Sequence, residues 1–211
     1  VVHFTRAENL SSIVARGLLP RASLQEGDFV ANDDSRIDGM PEASCLSVSF
    51  PNYRMFYRYR KQNETANWGV LLISTQVLIE KPCLFLPANA ASATVREALH
   101  GRLDQIIGIR GFDGMFAERP TPTRVDQGLS PDLTTDPQAE VLILDAIDPN
   151  YFLSVALLRS DAELVASIGQ SRPGLPVTTG GAYFKPRHDY QWWRLSVASD
   201  DLLSEDDEME F

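Results

Sequence analysis

The chain contains the stretch Asp136-Pro137-Gln138-Ala139-Glu140-Val141-Leu142-Ile143-Leu144-Asp145, in which a carboxylate precedes four branched apolar residues. Proline bounds this run at Pro137 and again at Asp148-Pro149, which predicts a short strand buried on both faces. Glu140 then lies at the entrance of the strand, where rigid backbone and apolar neighbours aim its carboxylate and strengthen its field. The alternative is a rim residue that meets a lysine or water.

Length and composition indicate an ordinary globular domain. The 211 residues are 44% hydrophobic and 9% aromatic, and no apolar run approaches the roughly 20 residues of a membrane span. We expect one domain over residues 1–198 and, because no secretory signal is visible, a cytoplasmic protein. Cys45 and Cys83 are too few for a disulfide framework or a zinc site, and we expect both to be reduced.

Acidic residues dominate the C-terminal segment 199–211. It holds seven acids and no base, so the net charge of −10 leaves −3 for residues 1–198. We expect this segment to be a solvated acidic tail. The nearly neutral body can carry a local basic surface.

The N-terminal residues predict a strand followed by a helix. Val1 to Thr5 indicates a short strand, and Glu8 to Gly17 has apolar residues at helical spacing and a glycine cap. His3 and Thr5 lie two residues apart, so their side chains share one face of the strand and can contact one ligand. The alternative for His3 is a core histidine with its hydrogen bonds satisfied.

A polar segment from Pro20 to Ser44 has little periodicity and predicts a lid or binding loop. Arg36 is its central cation, bordered by acids, and is either a salt-bridge clip or a contact for phosphate and substrate. Cys45 to Phe50 then predicts a second strand, which ends at Pro51.

Two segments interleave aromatic and basic residues: Tyr53 to Lys61 and Tyr183 to Arg194. Such clusters suit stacking on bases with phosphates held by the cations, which favours a nucleic-acid or nucleotide partner. The alternative for the first cluster is a helix with aromatic core residues and a wet arginine face. In that helix, Met55 and Phe56 would face inward. The alternative for the second cluster is that Trp192 and Trp193 are core residues.

The remaining elements follow from local patterns. We expect a strand over Gly69–Ser74, an element over 77–85 broken by Pro82, a small-residue turn over 87–92, a helix over 93–99, a loop-rich region over 101–137, a short strand or turn over 149–158 and a helix over Ser160–Ile168. The loop-rich region leads into Glu140 and is the expected place for a substrate-binding loop.

Several well-known site motifs are missing from the sequence. It has no glycine fingerprint for dinucleotides, no phosphate-binding loop, no nucleophile elbow and no His/Cys metal spacing. With three widely separated histidines, we expect no metal. A cofactor-sized ligand on a strand-rich scaffold is the class that remains.

Short motifs in a fixed order carry a family resemblance. They are His3-Phe4-Thr5, Asn9-Leu10, Ile13, Gly17-Leu18, Pro51, Met55-Phe56-Tyr57, Asn89-Ala90-Ala91 and Gln138-Ala139-Glu140. Through them the chain resembles, over about residues 1–150, the DarT DNA ADP-ribosyltransferase toxins of DarT/DarG systems. Residues 47–53, Ser-Val-Ser-Phe-Pro-Asn-Tyr, depart from the thymine-modifying branch and are more similar to the guanine-modifying branch.

The resemblance implies an α+β ADP-ribosyltransferase fold in which two antiparallel sheets form an NAD cleft. It implies cleavage of NAD between nicotinamide and ribose, and transfer of ADP-ribose to a base in single-stranded DNA, guanine first and thymine second. Glu140 would stabilise the oxocarbenium-like transition state of this reaction. A macrodomain antitoxin, DarG, is the implied protein partner, and the expected state is a monomer.

By the same resemblance, catalysis involves Glu140 together with Arg36 or Arg54. His3 and Thr5 would hold the nicotinamide end of NAD, and Asn9, Gly17 and Leu18 the adenosine side. The full set of implied NAD-binding residues is His3, Phe4, Thr5, Asn9, Gly17, Leu18, Arg36, Ser49 and Phe56.

Two other functions remain open at this stage. One is an NAD glycohydrolase, in which water takes the ribose in the same cleft. The other is a non-catalytic module that grips single-stranded DNA with its two aromatic-basic clusters, with Glu140 as a structural residue.

Overall fold

Seven β-strands form two sheets in the computed structural model, which describes residues 1–25, 27–31, 39–92, 95, 97, 99 and 101–193. The first sheet contains, in spatial order, β1 (Val2–Arg6), β3 (Trp68–Ile73), β6 (Phe152–Leu157) and β7 (Val177–Thr179). The second contains β2 (Ser44–Leu46), β5 (Glu140–Ile143) and β4 (Cys83–Leu86). Neighbouring strands are antiparallel except β6 and β7, so the first sheet is mixed and not purely antiparallel as predicted.

Helices connect and flank the strands. Those with described bounds are α1 (Leu10–Arg16), α2 (Tyr53–Gln62), α3 (Val77–Glu80), α4 (Gly108–Gly114) and α5 (Ala162–Ser171). Single turns of 3-10 helix lie at Ala7–Asn9, Arg21–Ser23, Leu103–Gln105, Pro149–Tyr151, Ala182–Phe184 and Tyr190–Trp192. This mixture confirms the predicted α+β class.

The predicted central strand is confirmed as β5, whose four residues are all buried. Val141 and Ile143 pack into the largest core cluster, whereas Leu142 packs into a smaller one with Leu84 and Leu86. Both faces of β5 are therefore covered, which explains an unbroken apolar run in place of alternation. β4 pairs with all four residues of β5 and β2 pairs with the last three, so the position of the strand in the sheet is fixed.

An aromatic cluster packs α2 onto the first sheet. Phe56 has no exposed surface and stacks on Phe4 of β1 with ring centroids 4.6 Å apart. Trp68 of β3 meets Phe56 edge-on at 5.5 Å. Three aromatics of the first aromatic-basic cluster, Tyr53, Phe56 and Tyr59, are therefore core residues, and the inward position predicted for Phe56 is confirmed.

Several locally predicted elements are confirmed. Strands lie close to the predicted ranges 1–5 and 69–74, and α1 and α5 match the two predicted helices. The glycine cap after α1 is also confirmed, because Gly17 has a φ of 99° and its N–H donates to the carbonyl of Ile13 at 2.8 Å.

The second strand is shorter than predicted. The prediction of a strand through Phe50 is wrong beyond Leu46, because the chain turns there and Ser49 adopts a φ of 58°. Ser47 still exchanges two backbone hydrogen bonds of 2.9 Å with Val2. This isolated bridge links the edge of the second sheet to β1.

Of three further regions, 77–85 confirms the predicted break at Pro82 and 149–158 confirms the predicted strand, whereas 101–137 differs from the prediction. The element over 77–85 is helix α3 followed by β4, with Pro82 between them. The region 101–137 contains α4, and 149–158 is mostly the six-residue strand β6. No helix in the described ranges is long and apolar enough to cross a membrane. The acidic tail falls outside the described residues.

Candidate active site

Glu140 begins β5 and is 6% exposed. Its Oε2 accepts a hydrogen bond of 3.0 Å from the backbone N–H of Ala90. A buried carboxylate on a strand that is paired on both sides has little freedom to move, and its field is weakly screened. The burial excludes the alternative of a solvent-exposed rim residue for Glu140.

The small-residue turn at Asn89–Ala91 supplies the donor to Glu140. The side-chain oxygen of Asn89 accepts a hydrogen bond from the N–H of Ala91 at 2.8 Å, and the backbone carbonyl of Asn89 accepts one from the N–H of Ser92 at 3.0 Å. These two bonds shape the turn so that the Ala90 N–H is left to bind the carboxylate. The sequence predicts a small-residue turn here but does not connect it with Glu140.

Arg54 lies beside the segment that leads into Glu140. Its Nη1 donates to the side-chain oxygen of Gln138 at 2.9 Å, and the Gln138 N–H donates to Asp136 Oδ1 at 2.8 Å. Asp136 in turn accepts from Arg119 Nη2 at 2.8 Å. The structure thus brings Arg54 to the carboxylate's neighbourhood, as the resemblance implied, and adds Arg119 and Asp136, which the sequence did not single out.

His3 and Thr5 share one face of β1, as predicted. The Nδ1 of His3 lies 2.8 Å from the carbonyl oxygen of Cys45 in β2, which makes Nδ1 the protonated nitrogen. Burial lowers the pKa of His3 and favours the neutral ring. Nε2 is therefore the ring's acceptor. Because β2 pairs with β5, His3 is tied to the same sheet as Glu140.

Asn9 connects Thr5 with the beginning of the predicted lid. Its Nδ2 donates to Thr5 Oγ1 and to the carbonyl of Val30, both at 3.0 Å. Its Oδ1 accepts from the N–H of Val30 at 2.8 Å. One buried amide therefore fixes the Thr5 hydroxyl and the backbone at Val30. Arg36 lies outside the described residues.

Gly17 and Leu18 are placed at the far end of β5 from Glu140. Leu18 exchanges two backbone hydrogen bonds of 2.9 Å with Ile147. A Cβ on Gly17 would lie 2.7 Å from the carbonyl oxygen of Ile147. In the structure these two residues let α1 pack closely against the segment after β5.

The other implied NAD-binding residues take different positions. Phe4 is half-buried, and Phe56 supports it from below without an exposed surface of its own. The Ser130 hydroxyl donates to Asp132 at 2.6 Å and lowers the pKa of its carboxyl group, and Ser49 lies near enough to Asp132 to contribute to this lowering. The turn after β2 is therefore close to the loop before β5.

Part of the second aromatic-basic cluster is a buried structural element, whereas Lys185 and Trp192 are exposed. Arg187 and Asp189 are 3% and 0% exposed and form a bidentate pair with two distances of 2.6 Å. Trp193 Nε1 donates to Asp189 at 2.9 Å. Arg187 also donates to the carbonyls of Thr134 and Thr135, at 2.9 and 3.4 Å. The cluster therefore holds the loop that precedes Glu140.

Tyr53, at the start of α2, lies beneath this pair. Burial, and next the charge of Asp189, raise the pKa of its hydroxyl. In the described part of the chain this buried hydroxyl has no hydrogen-bond partner.

Among the described residues, no group of three or more His, Cys, Asp or Glu is placed to hold a metal ion.

Comparisons with known proteins find one family and several solved structures of similar fold. A family profile described as "ssDNA thymidine ADP-ribosyltransferase, DarT" matches residues 2–171. A search of curated protein sequences gives no match. Thermus sp. 2.9 DarT in complex with carba-NAD+ is similar with 16% identity and a TM-score of 0.55, over 84% of this chain and 93% of that chain. The same DarT in complex with ADP-ribosylated ssDNA has 14% identity and a TM-score of 0.52, over 84% and 92%.

Thermosipho africanus DarTG in complex with ADP-ribose is similar with 18% identity and a TM-score of 0.54, over 87% of this chain. The present chain spans 50% of the length of that DarTG chain. At such identities the solved structures show a shared fold. The family profile covers most of the sequence, and the chain therefore belongs to the DarT family of single-stranded-DNA ADP-ribosyltransferases.

Proposed function

We propose that this protein transfers ADP-ribose from NAD to a base in single-stranded DNA, with Glu140 as the catalytic carboxylate. The observation that carries the proposal is the buried position of Glu140 at the start of β5, held by the Ala90 N–H at 3.0 Å. Positive charge grows on the ribose as the bond to nicotinamide breaks. A fixed carboxylate beside the ribose stabilises that charge more in the transition state than in the ground state.

In this proposal NAD lies along the face of β1 that carries His3 and Thr5. The neutral His3 ring, fixed through Nδ1, offers Nε2 as an acceptor. The Thr5 hydroxyl, which already accepts from Asn9, has its own proton to donate. Such a pair suits a carboxamide, which carries both a donor and an acceptor. Arg54 and Arg36 are the proposed cations for phosphates or for the incoming base.

We propose guanine as the favoured base and thymine as the second. The support for guanine is the sequence of residues 47–53, which resembles the guanine-modifying branch, while the family description names thymidine. Ser49 lies near Asp132, in the loop before β5. The segment that differs between branches is therefore close to the loop that we expect to hold the base.

The proposed biological role is that of a toxin restrained by a macrodomain antitoxin of the DarG type. The similarity to a DarTG chain supports it, although the present chain spans 50% of that chain. We further propose that the protein is a monomer and acts in the cytoplasm, where NAD and transiently single-stranded DNA meet.

The test is mass spectrometry of single-stranded oligonucleotides, each containing one kind of target base, after incubation with NAD and the protein. The expected result is a gain of one ADP-ribose unit on the guanine oligonucleotide. Glu140→Gln should lower the rate by about 100-fold or more. Glu163→Gln, on the exposed side of α5, is the matched control and should leave the rate unchanged.

Other outcomes would favour other functions. Modification of the thymine oligonucleotide alone would reverse the base assignment. Consumption of NAD without a change in DNA mass would favour an NAD glycohydrolase. Binding of DNA that is unaffected by Glu140→Gln, with NAD left intact, would favour a non-catalytic DNA-binding module. Circular dichroism of each variant separates loss of activity from loss of folding.

A further inference from the structure

Helix α2 concentrates positive charge in an acidic protein. The chain has 19 basic and 29 acidic residues, yet the ten residues of α2 contain four bases and no acid. The four are Arg54, Arg58, Arg60 and Lys61. Such a local excess attracts anions even when the whole molecule repels them.

The two sides of α2 differ in character. Tyr53, Phe56 and Tyr59 are buried against the first sheet. Arg54, Tyr57, Arg58 and Lys61 follow the spacing i, i+3, i+4, i+7 and share the opposite side, which we call the outer face of α2. From the first to the last of these residues the helix rises about 10 Å. Arg60 lies on the flank, with its guanidinium 4.9 Å from the centre of the Phe56 ring.

The positive charge of the outer face is weakly neutralised. Among the described residues, Arg58 forms no ion pair and its buried Nε has no hydrogen-bond partner; the guanidinium lies 5.5 Å from the centre of the Tyr59 ring. Lys61 lies 3.9 Å from Glu64, but both side chains are more than half exposed, so this pair contributes little. Among the described residues, the charges of Arg58 and Lys61 are therefore only weakly offset by carboxylates.

The outer face begins at the proposed active site. Arg54 donates to Gln138, which lies two residues before Glu140, whereas Arg58 and Lys61 lie one and two turns further along the helix. The ring of Tyr57, 5.7 Å from Lys61 Nζ, lies between them on the same face. Along the outer face, starting from the end nearest Glu140, a cation is therefore followed by an aromatic ring and then by two more cations.

We propose that the outer face of α2 binds the DNA strand on one side of the modified base, with Arg58 and Lys61 on its phosphates and Tyr57 beneath a neighbouring base. This inference rests on the proposed function and specifies where the polymer lies. Alternating phosphates and bases match a surface on which cations and a ring alternate. One phosphate group is too short to span the rise of about 10 Å from Arg54 to Lys61.

The test uses the double variant Arg58→Gln with Lys61→Gln, which leaves Arg54 intact. The Michaelis constant for a long single-stranded oligonucleotide should rise, and the KM for NAD should not change. Because two phosphate contacts are lost, the slope of log affinity against log salt should become shallower by about 1.4. A target oligonucleotide of only two nucleotides should be used equally well by both proteins.

Arg110→Gln is the matched control, because this arginine is exposed in α4 and its nearest partner is Asp104 at 3.7 Å. Direct binding of a fluorescent oligonucleotide, followed by anisotropy, is measured with the same three proteins. It gives a result even if the wild type modifies no DNA, so failure of the proposed function and failure of this inference are distinguished. An unchanged salt slope in the double variant, or an equal change in Arg110→Gln, would overturn the assignment.

Discussion

Replacement of Asp189 by asparagine tests whether the buried pair with Arg187 positions the loop before Glu140. The pair has two N–H···O distances of 2.6 Å and is almost fully buried. Asparagine has the same size as aspartate, so the substitution removes the charge and one acceptor without leaving a cavity. The Arg187 guanidinium would remain buried, with the carbonyls of Thr134 and Thr135 as weaker partners.

The expected loss is large because an uncompensated charge remains inside the protein. Removal of one partner from a buried ion pair typically costs about 3 to 5 kcal/mol. For a domain of this size, each kcal/mol lowers the melting temperature by about 2 to 4 °C, which gives a decrease of about 6 to 20 °C. Activity should fall even at temperatures well below the new melting temperature. The reason is that the loop at Thr134 and Thr135, which Arg187 holds, leads directly to Gln138 and Glu140.

Urea unfolding followed by circular dichroism measures the free energy of unfolding of Asp189→Asn. The control is Asp145→Asn, which breaks a pair of similar length, 2.8 Å to Lys81, between partly exposed side chains. This control should be almost silent, because water replaces the lost partner. Equal effects of the two substitutions would refute the reasoning that burial, and not distance, makes the Arg187 pair important.

Three further substitutions test the positions of individual residues. Gly17→Ala should destabilise the protein by about 1 to 3 kcal/mol, since φ is 99° and the new Cβ would meet Ile147. The control Gly114→Ala, whose new Cβ would have nothing within 4 Å, should be tolerated. Equal losses of unfolding free energy in urea for the two variants would contradict this. Burial lowers the pKa of His3, so the unfolded chain binds a proton at a higher pH than the folded protein does, and the free energy of unfolding should fall as pH drops below 6.5. In urea titrations at several pH values, His3→Asn should make this fall smaller. An unchanged pH profile in His3→Asn would be evidence against a neutral His3. Asn9→Ala should raise the KM for NAD by roughly fivefold for each hydrogen bond that the site loses, as measured by steady-state release of nicotinamide. An unchanged KM would show that Asn9 does not contribute to NAD binding.

Local patterns in the sequence were sufficient for the elements nearest the candidate site. The apolar run after Glu140 predicts β5 because both faces of that strand are covered. The alternation of His3 and Thr5 predicts their common face, since strand side chains repeat with a period of two. Each of these features depends on a few adjacent residues, and that is why sequence reasoning reached them.

Other elements depend on packing that a local pattern does not contain. Helix α4 begins and ends with glycine, a poor helix former, and was predicted as loop. A Cβ on Gly111 would lie 2.4 Å from the backbone of Ile106, so the glycine permits a close approach that other residues would block. The turn that shortens β2 similarly places a non-glycine residue, Ser49, at a positive φ. Tertiary contacts override local propensity at both places.

The position of Glu140 results from contacts between distant parts of the chain. Its carboxylate is held by Ala90, 50 residues earlier, and the Gln138 side chain is bonded to Arg54, 84 residues earlier. The loop before it is held by Arg187, 53 residues after Thr134. No motif spans such separations, so the sequence found the carboxylate but not the groups that fix it.

The last of these contacts also concerns the extent of the functional unit. The family profile ends at residue 171, yet Arg187, Asp189 and Trp193 lie beyond it and are buried against the loop before Glu140. A chain ended at residue 171 would leave the carbonyls of Thr134 and Thr135 without these donors and would uncover the buried hydroxyl of Tyr53. Because that loop leads directly into β5, the residues after the profile help to fix the position of the proposed catalytic carboxylate.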